Sequence, residues 1–200
     1  MKERVAVDVS EMSVYSQGSD GLLYWGFWGI LAIEATVFAS LIASYFYLRF
    51  GAGEWPPGGH SPPELLLPAV NTGVLLLSSV SVWWGDKGIE HGDSRRLGLG
   101  LLGGIVLAAL FLVLKVVEYS DADYRWDSHA YGSIVWTIVG FHSAHVLTLV
   151  MKTAVIDVLA FRGYFNERRR LGAKVNGIYW HFVVLVWIPL FLTLYIAPRL

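Results

Sequence analysis

No cysteine occurs in this chain, which excludes disulfides, thiolate metal sites and thiol chemistry. Charge is sparse as well: acidic and basic residues make up 16% of the chain and leave a net charge of −1. The net value says little, because the two signs are segregated along the sequence. The first twenty residues lack the apolar core of a signal peptide, so membrane insertion is expected to begin with the first long apolar stretch. No inverted repeat and no pair of broken helices marks a transporter.

What is present in quantity is apolar surface. The chain is 55% hydrophobic, with a mean hydropathy of +0.52, above the range of ordinary soluble domains. Nine Trp and ten Tyr suit a protein whose amphipathic rings settle at headgroup level. Five apolar stretches run at about 22–48, 65–85, 97–118, 130–160 and 176–197. Each reaches the ~20 residues that carry a helix, at ~1.5 Å per residue, across ~30 Å of hydrocarbon. The fold expected is all-α, a polytopic membrane bundle of five transmembrane helices in one domain, preceded by a polar segment at 1–21.

The breaks between stretches are short. Residues 49–64 are rich in Pro and Gly and cannot continue a helix. Residues 86–96 form a charged turn, 119–129 are acidic and aromatic, and 161–174 are basic. With the N-terminus inside, Lys2, Arg4, Lys87, Arg95, Arg96, Arg162, Arg168, Arg169, Arg170 and Lys174 gather on the cytoplasmic side. Only Arg49, Arg125 and Arg199 fall outside, so a cytoplasmic N-terminus and an outer C-terminus are expected. The acidic loop at 121–127 then faces outward, either as a solvated connector or as an approach surface for a basic redox partner. Small residues crowd the second and third stretches (Gly73, Ser78, Ser79 and Ser81; Gly98, Gly100, Gly103, Gly104, Ala108 and Ala109) and predict close helix packing.

Ionisable residues inside hydrocarbon are costly and turn toward partners or a pathway. Glu34 lies deep in the first stretch. Hydrocarbon disfavours a carboxylate, so Glu34 reads either as a protonated acid exchanging protons with a water chain or as an interhelical hydrogen bond. His142 and His145 share one helix face, and His181 opens the last stretch. Metal or haem ligation needs more imidazoles converging from different helices, so hydrogen bonding between helices is the simpler reading. His60, His91 and His129 fall in or beside loops. Lys115 and Glu118 stand three apart and can neutralise one another. Lys152 and Asp157 read as anchors and ion pairs near the inner end of the fourth stretch, and Pro189 is a candidate kink in the fifth.

Taken in order, these stretches resemble subunit III of the haem–copper terminal oxidases, the cytochrome c oxidase subunit III family. The matching segments are WGFWGILAIEATVFASLIASYFYLR around Glu34, NTGVLLLSSVSVWWG at 71–85, and the turn with Glu90, Gly92 and Arg95. They continue with LKVVEYSDA, YGSIVWTIVGFHSAHV at 131–146, and YWHFVVLVWIPLFLTLY at 179–195. The likeness spans about 22–197. Three departures stand out. The fullest family members have seven helices; Val184 replaces a usual aspartate; and Lys115 stands where glutamine is common. The LKxxEY ending also resembles an accessory protein of nitric oxide reductases.

The resemblance implies a non-catalytic subunit that packs on subunit I, keeps proton uptake fast and protects the active centre during turnover. It implies no cofactor in this chain, with haems and copper in partner subunits I and II. It implies Glu34 as the proton-related residue, matching a carboxyl that reacts with a hydrophobic carbodiimide. Asn71, Lys115, Glu118, His142, His145 and His181 are then interhelical polar positions and not metal ligands. Expected partners are subunits I and II, membrane lipid, and cytochrome c or quinol as donor to the complex; nucleic acid is not among them. The expected location is the bacterial cytoplasmic membrane. The accessory subunit of a nitric oxide reductase and subunit III of a quinol oxidase are the alternatives.

Overall fold

A computed structural model of the chain describes residues 22–57, 63–166 and 170–200. The expected N-terminal segment at 1–21, His60, Arg168 and Arg169 lie outside the described residues. All regular structure among the described residues is helical: α1 (Leu22–Gly51), α2 (Leu66–Ile89), α3 (Ser94–Ser120), α4 (Ala130–Phe161) and α5 (Leu171–Phe191). A π-helical turn (Leu192–Ile196) and a 3-10 turn (Ala197–Arg199) complete the chain. All five helices are long and apolar enough to cross a membrane. At 32 residues, α4 is ~48 Å long, so it projects beyond the ~30 Å hydrocarbon core or crosses it tilted.

Local chemistry fixes the helix ends. Asp93 caps α3 by accepting from the Arg96 N–H at 2.9 Å, after a turn in which Gly92 takes φ of 76°. Imidazole does the same for α4: His129 Nδ1 accepts from the Gly132 N–H at 2.9 Å. At the other end of α4, Gly163 at φ 70° closes the helix, with Tyr164 N–H donating back to the Leu159 carbonyl at 3.0 Å. Helix α5 begins at Leu171, ahead of the stretch expected near 176. Residues 171–175 (LGAKV) carry no helix breaker beyond one glycine, so helical structure runs into the basic segment.

Helices α2 and α3 make the most extensive contact, and α4 and α5 join them so that α2 also meets α5. Glycine allows the α2–α3 approach. A Cβ at Gly100 would lie 2.5 Å from Gly85 Cα, one at Gly103 2.4 Å from Ser81 Oγ, and one at Gly104 2.6 Å from a Val82 methyl. Ser81 completes the contact by donating to the Gly100 carbonyl at 2.9 Å. Gly73 does not take part, since nothing lies within 4 Å of a Cβ there.

Helix α1 packs from outside against α4 and α5. Its buried residues Leu31, Phe38 and Tyr45 recur every seven positions, and Leu41 and Leu48, each three positions further on from Phe38 and Tyr45, are partly buried. This is the narrow seam of a helix touching its neighbours along one line. Glu34 sits on that seam, in a place the pattern assigns to an apolar side chain.

The fifth helix behaves as Pro189 requires. A proline inside a helix removes a backbone donor and crowds the preceding turn. The chain widens into the π turn just beyond it, and Thr193 Oγ1 donates to the Pro189 carbonyl at 2.8 Å. Thr193, Leu194 and Tyr195 are all buried there.

Candidate functional site

Two polar clusters lie in the helix seams. The first brings Glu34 together with α4 and α5. Tyr179 of α5 donates its phenolic proton to Glu34 Oε1 at 3.2 Å. The other oxygen, Oε2, is buried, has no hydrogen-bond partner, and lies 4.0 Å from His145 Nε2. Helix α4 holds the imidazole through its own backbone: His145 Nδ1 is 2.8 Å from the Phe141 carbonyl. A carbonyl only accepts, so Nδ1 carries a proton and Nε2 of a neutral His145 presents a lone pair to Glu34. The Glu34 side chain keeps 23% of its surface exposed. Lys152 stands over the Tyr179 ring at 4.0 Å and within electrostatic reach of Glu34.

The second cluster closes the opposite part of the bundle, where α3 ends. Lys115 is 3% exposed. Its Nζ donates to Glu118 Oε2 at 2.7 Å and to the Tyr195 hydroxyl at 2.8 Å. Tyr195 in turn donates to Glu118 Oε1. The rings of Trp187 and Tyr195 lie 4.6 Å and 4.9 Å from Nζ. A buried ammonium needs both an anion and further acceptors or rings around it, and all are supplied here. The cluster borders a cavity of about 500 Å³ at the acidic end, lined by Glu64, Asp121 and Asp123 among others.

The remaining expected residues link helices singly. His142 is fully buried; its Nε2 donates to the Val183 carbonyl at 3.2 Å and its ring lies on Trp187 at 4.7 Å. His181 Nδ1 and Ser79 Oγ are 2.5 Å apart, joining α5 to α2. Asn71 donates to the Phe111 carbonyl at 3.2 Å, joining α2 to α3. His145 differs, because its hydrogen bond stays within α4, and it crosses to α1 through the Glu34 contact and an edge-on contact with the Phe38 ring at 5.1 Å. Among the described residues, no group of three or more His, Cys, Asp or Glu side chains gathers as a metal site would require.

Lys152 and Asp157 do not behave as a surface ion pair. Lys152 turns to Tyr179, and Asp157 is buried with Oδ1 lacking a partner. Their separation of five positions puts them on different faces of α4. Sequence reasoning also missed Tyr179, Tyr195, Asp86 and the Thr153–Asn176 contact of 3.0 Å. Asp86 packs so tightly on α5 that a Cβ at Gly177 would lie 2.0 Å from its Oδ2. A glycine inside a membrane helix was the available signal.

Comparison with known proteins agrees with this architecture. The sequence model of cytochrome c oxidase subunit III matches residues 13–198. The chain is 33% identical over 170 residues to cytochrome c oxidase subunit 3 of Thermostichus vulcanus, covering 84% of each protein. It is 29% identical over 180 residues to the Drosophila yakuba protein of that name, covering 86% of this chain and 68% of the relative. It is 33% identical over 144 residues to the Mus musculus protein, covering 72% and 55%. With five membrane-length helices and a family match along nearly its whole length, this chain belongs to the cytochrome c oxidase subunit III family.

Proposed function

We propose that this chain is the non-catalytic third subunit of a proton-pumping haem–copper oxygen reductase in a bacterial cytoplasmic membrane. In this role it packs on subunit I, keeps proton uptake fast and prolongs the working life of the active centre. Haems and copper reside in subunits I and II, and the choice between cytochrome c and quinol as donor belongs to those subunits. The N-terminus lies in the cytoplasm and the C-terminus outside, as the distribution of Lys and Arg favours.

The observation that carries the proton-related role is the pairing of Glu34 with His145. With His145 Nδ1–H committed to the Phe141 carbonyl, Nε2 and Glu34 Oε2 face one another at 4.0 Å. Both atoms are acceptors when the imidazole is neutral and the carboxyl ionised, so a single proton placed on either group would complement the other. Tyr179 steadies the other carboxyl oxygen, and the partial exposure of Glu34 leaves the proton a route out of the seam. Such a pair stores and returns a proton without any metal or haem.

Copurification tests the assignment. The chain is drawn from native membranes in mild detergent, its companions are identified, and oxygen and nitric oxide consumption are compared. An oxygen-consuming complex with a haem–copper subunit I is the expected result; one that reduces only nitric oxide moves the chain to the accessory role that LKVVEY at 114–119 resembles. Within the complex, Glu34→Gln is expected to leave assembly and haem spectra unchanged while slowing proton uptake or hastening turnover inactivation. Unchanged kinetics on both counts would leave Glu34 a packing role only.

A further inference from the structure

Two polar side chains at the basic end of the bundle are buried without the partners that burial demands. Asp157, one turn before the end of α4, is 7% exposed, and its Oδ1 has no hydrogen-bond partner. Asn176, in the second turn of α5, is 1% exposed, and its Nδ2 has none either. The other half of that amide is engaged: Thr153 Oγ1 of α4 donates to Asn176 Oδ1 at 3.0 Å. The two atoms left over are complementary, an acceptor on the carboxylate and a donor on the amide. Among the described residues no cation pairs with Asp157. Helix α3 meets α4 one turn further on, and there the Ser94 hydroxyl is committed to the Ala160 carbonyl at 2.6 Å.

Helix geometry turns these two groups toward one another. Thr153 and Asp157 stand four positions apart on the buried face of α4, with ~5–6 Å between their Cβ atoms. Side chains on a helix lean toward its N-terminus. Consecutive spans joined by a short segment run in opposite directions, so α4 and α5 lean their side chains opposite ways. Asp157 leans back toward Thr153, and Asn176, which meets Thr153, leans toward Asp157. About one helical turn, ~5.4 Å, separates the carboxyl from the amide, and no direct bond joins them. Their neighbours on the same buried faces are Ala160 on α4 and Ala173 on α5. A methyl group does not span that distance.

We propose that one buried water molecule joins Asn176 Nδ2 to Asp157 Oδ1 and is a fixed part of the α4–α5 contact. Water accepts from the amide N–H and donates to the carboxylate, so it satisfies both atoms at once. A bare cation meets the positive end of the amide N–H and is selected against. Two hydrogen bonds of ~2.7–3.2 Å, meeting at one oxygen, cover the separation. Leftover buried polar atoms are held by such waters in folded proteins, and these waters are costly to remove. The water lets α4 carry a carboxyl inside the bundle with no cation beside it. It shares no residue with the Glu34 pair, so its failure leaves the oxidase reading standing.

The test uses the purified complex carrying the full chain, imaged by electron cryomicroscopy at a resolution that shows ordered water. Wild type is expected to show one peak within ~2.7–3.2 Å of both Asp157 Oδ1 and Asn176 Nδ2. Asp157→Asn keeps an acceptor in place and is expected to keep the peak. Asn176→Leu removes the donor and is expected to lose it. Should Asn176→Leu not assemble, the wild-type and Asp157→Asn maps decide. A direct bond between the two side chains, with no peak, overturns the proposal, as does a map with neither. A peak that persists in Asn176→Leu overturns it too. So does a peak ringed by several oxygens at ~2.3–2.6 Å, the signature of a cation.

Discussion

Tyr179 and Glu34, at opposite ends of the described chain, meet through a hydrogen bond of 3.2 Å across the α1–α5 seam. The contact gives α1, which otherwise touches its neighbours along one narrow line, a polar fix in depth and rotation. Tyr179→Phe is expected to loosen α1 by about 1 kcal/mol, the usual scale of an interhelical hydrogen bond in a membrane. Detergent-denaturation midpoints of wild type and variant measure it. An unchanged midpoint would mean that apolar packing alone seats α1.

Lys115 sits in a pocket where removal and replacement should give different answers. Lys115→Met leaves the Glu118 carboxylate in a largely buried site without its cation, and about 3–5 kcal/mol of stability should be lost. Adding Glu118→Leu removes the stranded charge, and most of the loss should return. A double-mutant cycle on thermal unfolding of the complex separates the two. If the double variant is no more stable than the single one, the ion pair is not the source of the loss.

The glycines of α2 and α3 differ sharply in consequence. At Gly100 a methyl would meet Gly85 backbone at 2.5 Å, so Gly100→Ala must push the helices apart and should cost about 1–3 kcal/mol. Gly73→Ala meets open space and should be neutral or slightly stabilising, since alanine favours helix by ~1 kcal/mol over glycine. Assembly yield and melting temperature of the two variants, side by side, decide whether close approach or simple small size matters.

Tyr124, in the loop between α3 and α4, is pushed up to about 12 from 10.0, first by burial, with the Glu118 charge adding to it. A raised phenol binds its proton more tightly in the folded state. Its contribution to stability is therefore complete below pH 10 and is lost as pH climbs toward 12. Phenolate absorbance of wild type minus Tyr124→Phe should give a titration centred near the raised value. A difference curve centred near 10 would place Tyr124 in water.

The five-helix plan was legible because hydrocarbon imposes it: long apolar runs and short polar breaks leave little choice of architecture. Glu34, Lys115 and His142 were legible for the same reason, as polar groups where polarity is expensive. Of their partners only Glu118, three residues from Lys115 on the same helix, was. Tyr179 and Lys152 join Glu34 through the register of α5 and α4 against α1, which no local pattern encodes. Tyr195 reaches Lys115 only because the chain widens after Pro189, and helical spacing counted through that proline misplaces it. The imidazole cap at His129 escaped notice because caps are sought among Ser, Thr, Asp and Asn.

The widened turn after Pro189 has a mechanical consequence. Beyond it the chain is gripped on all sides: Thr193, Leu194 and Tyr195 are buried in succession, and the Tyr195 hydroxyl is tied to α3. The far end of α5, at Arg170, is exposed. Toward its start α5 is gripped again, with Ala173, Asn176, Gly177 and Trp180 buried, Asn176 bonded to Thr153 of α4 and Trp180 to Ser78 of α2. Helix α5 is thus a beam clamped near both ends over ~31 Å, and Tyr179, close to the second clamp, holds Glu34 against a rigid member.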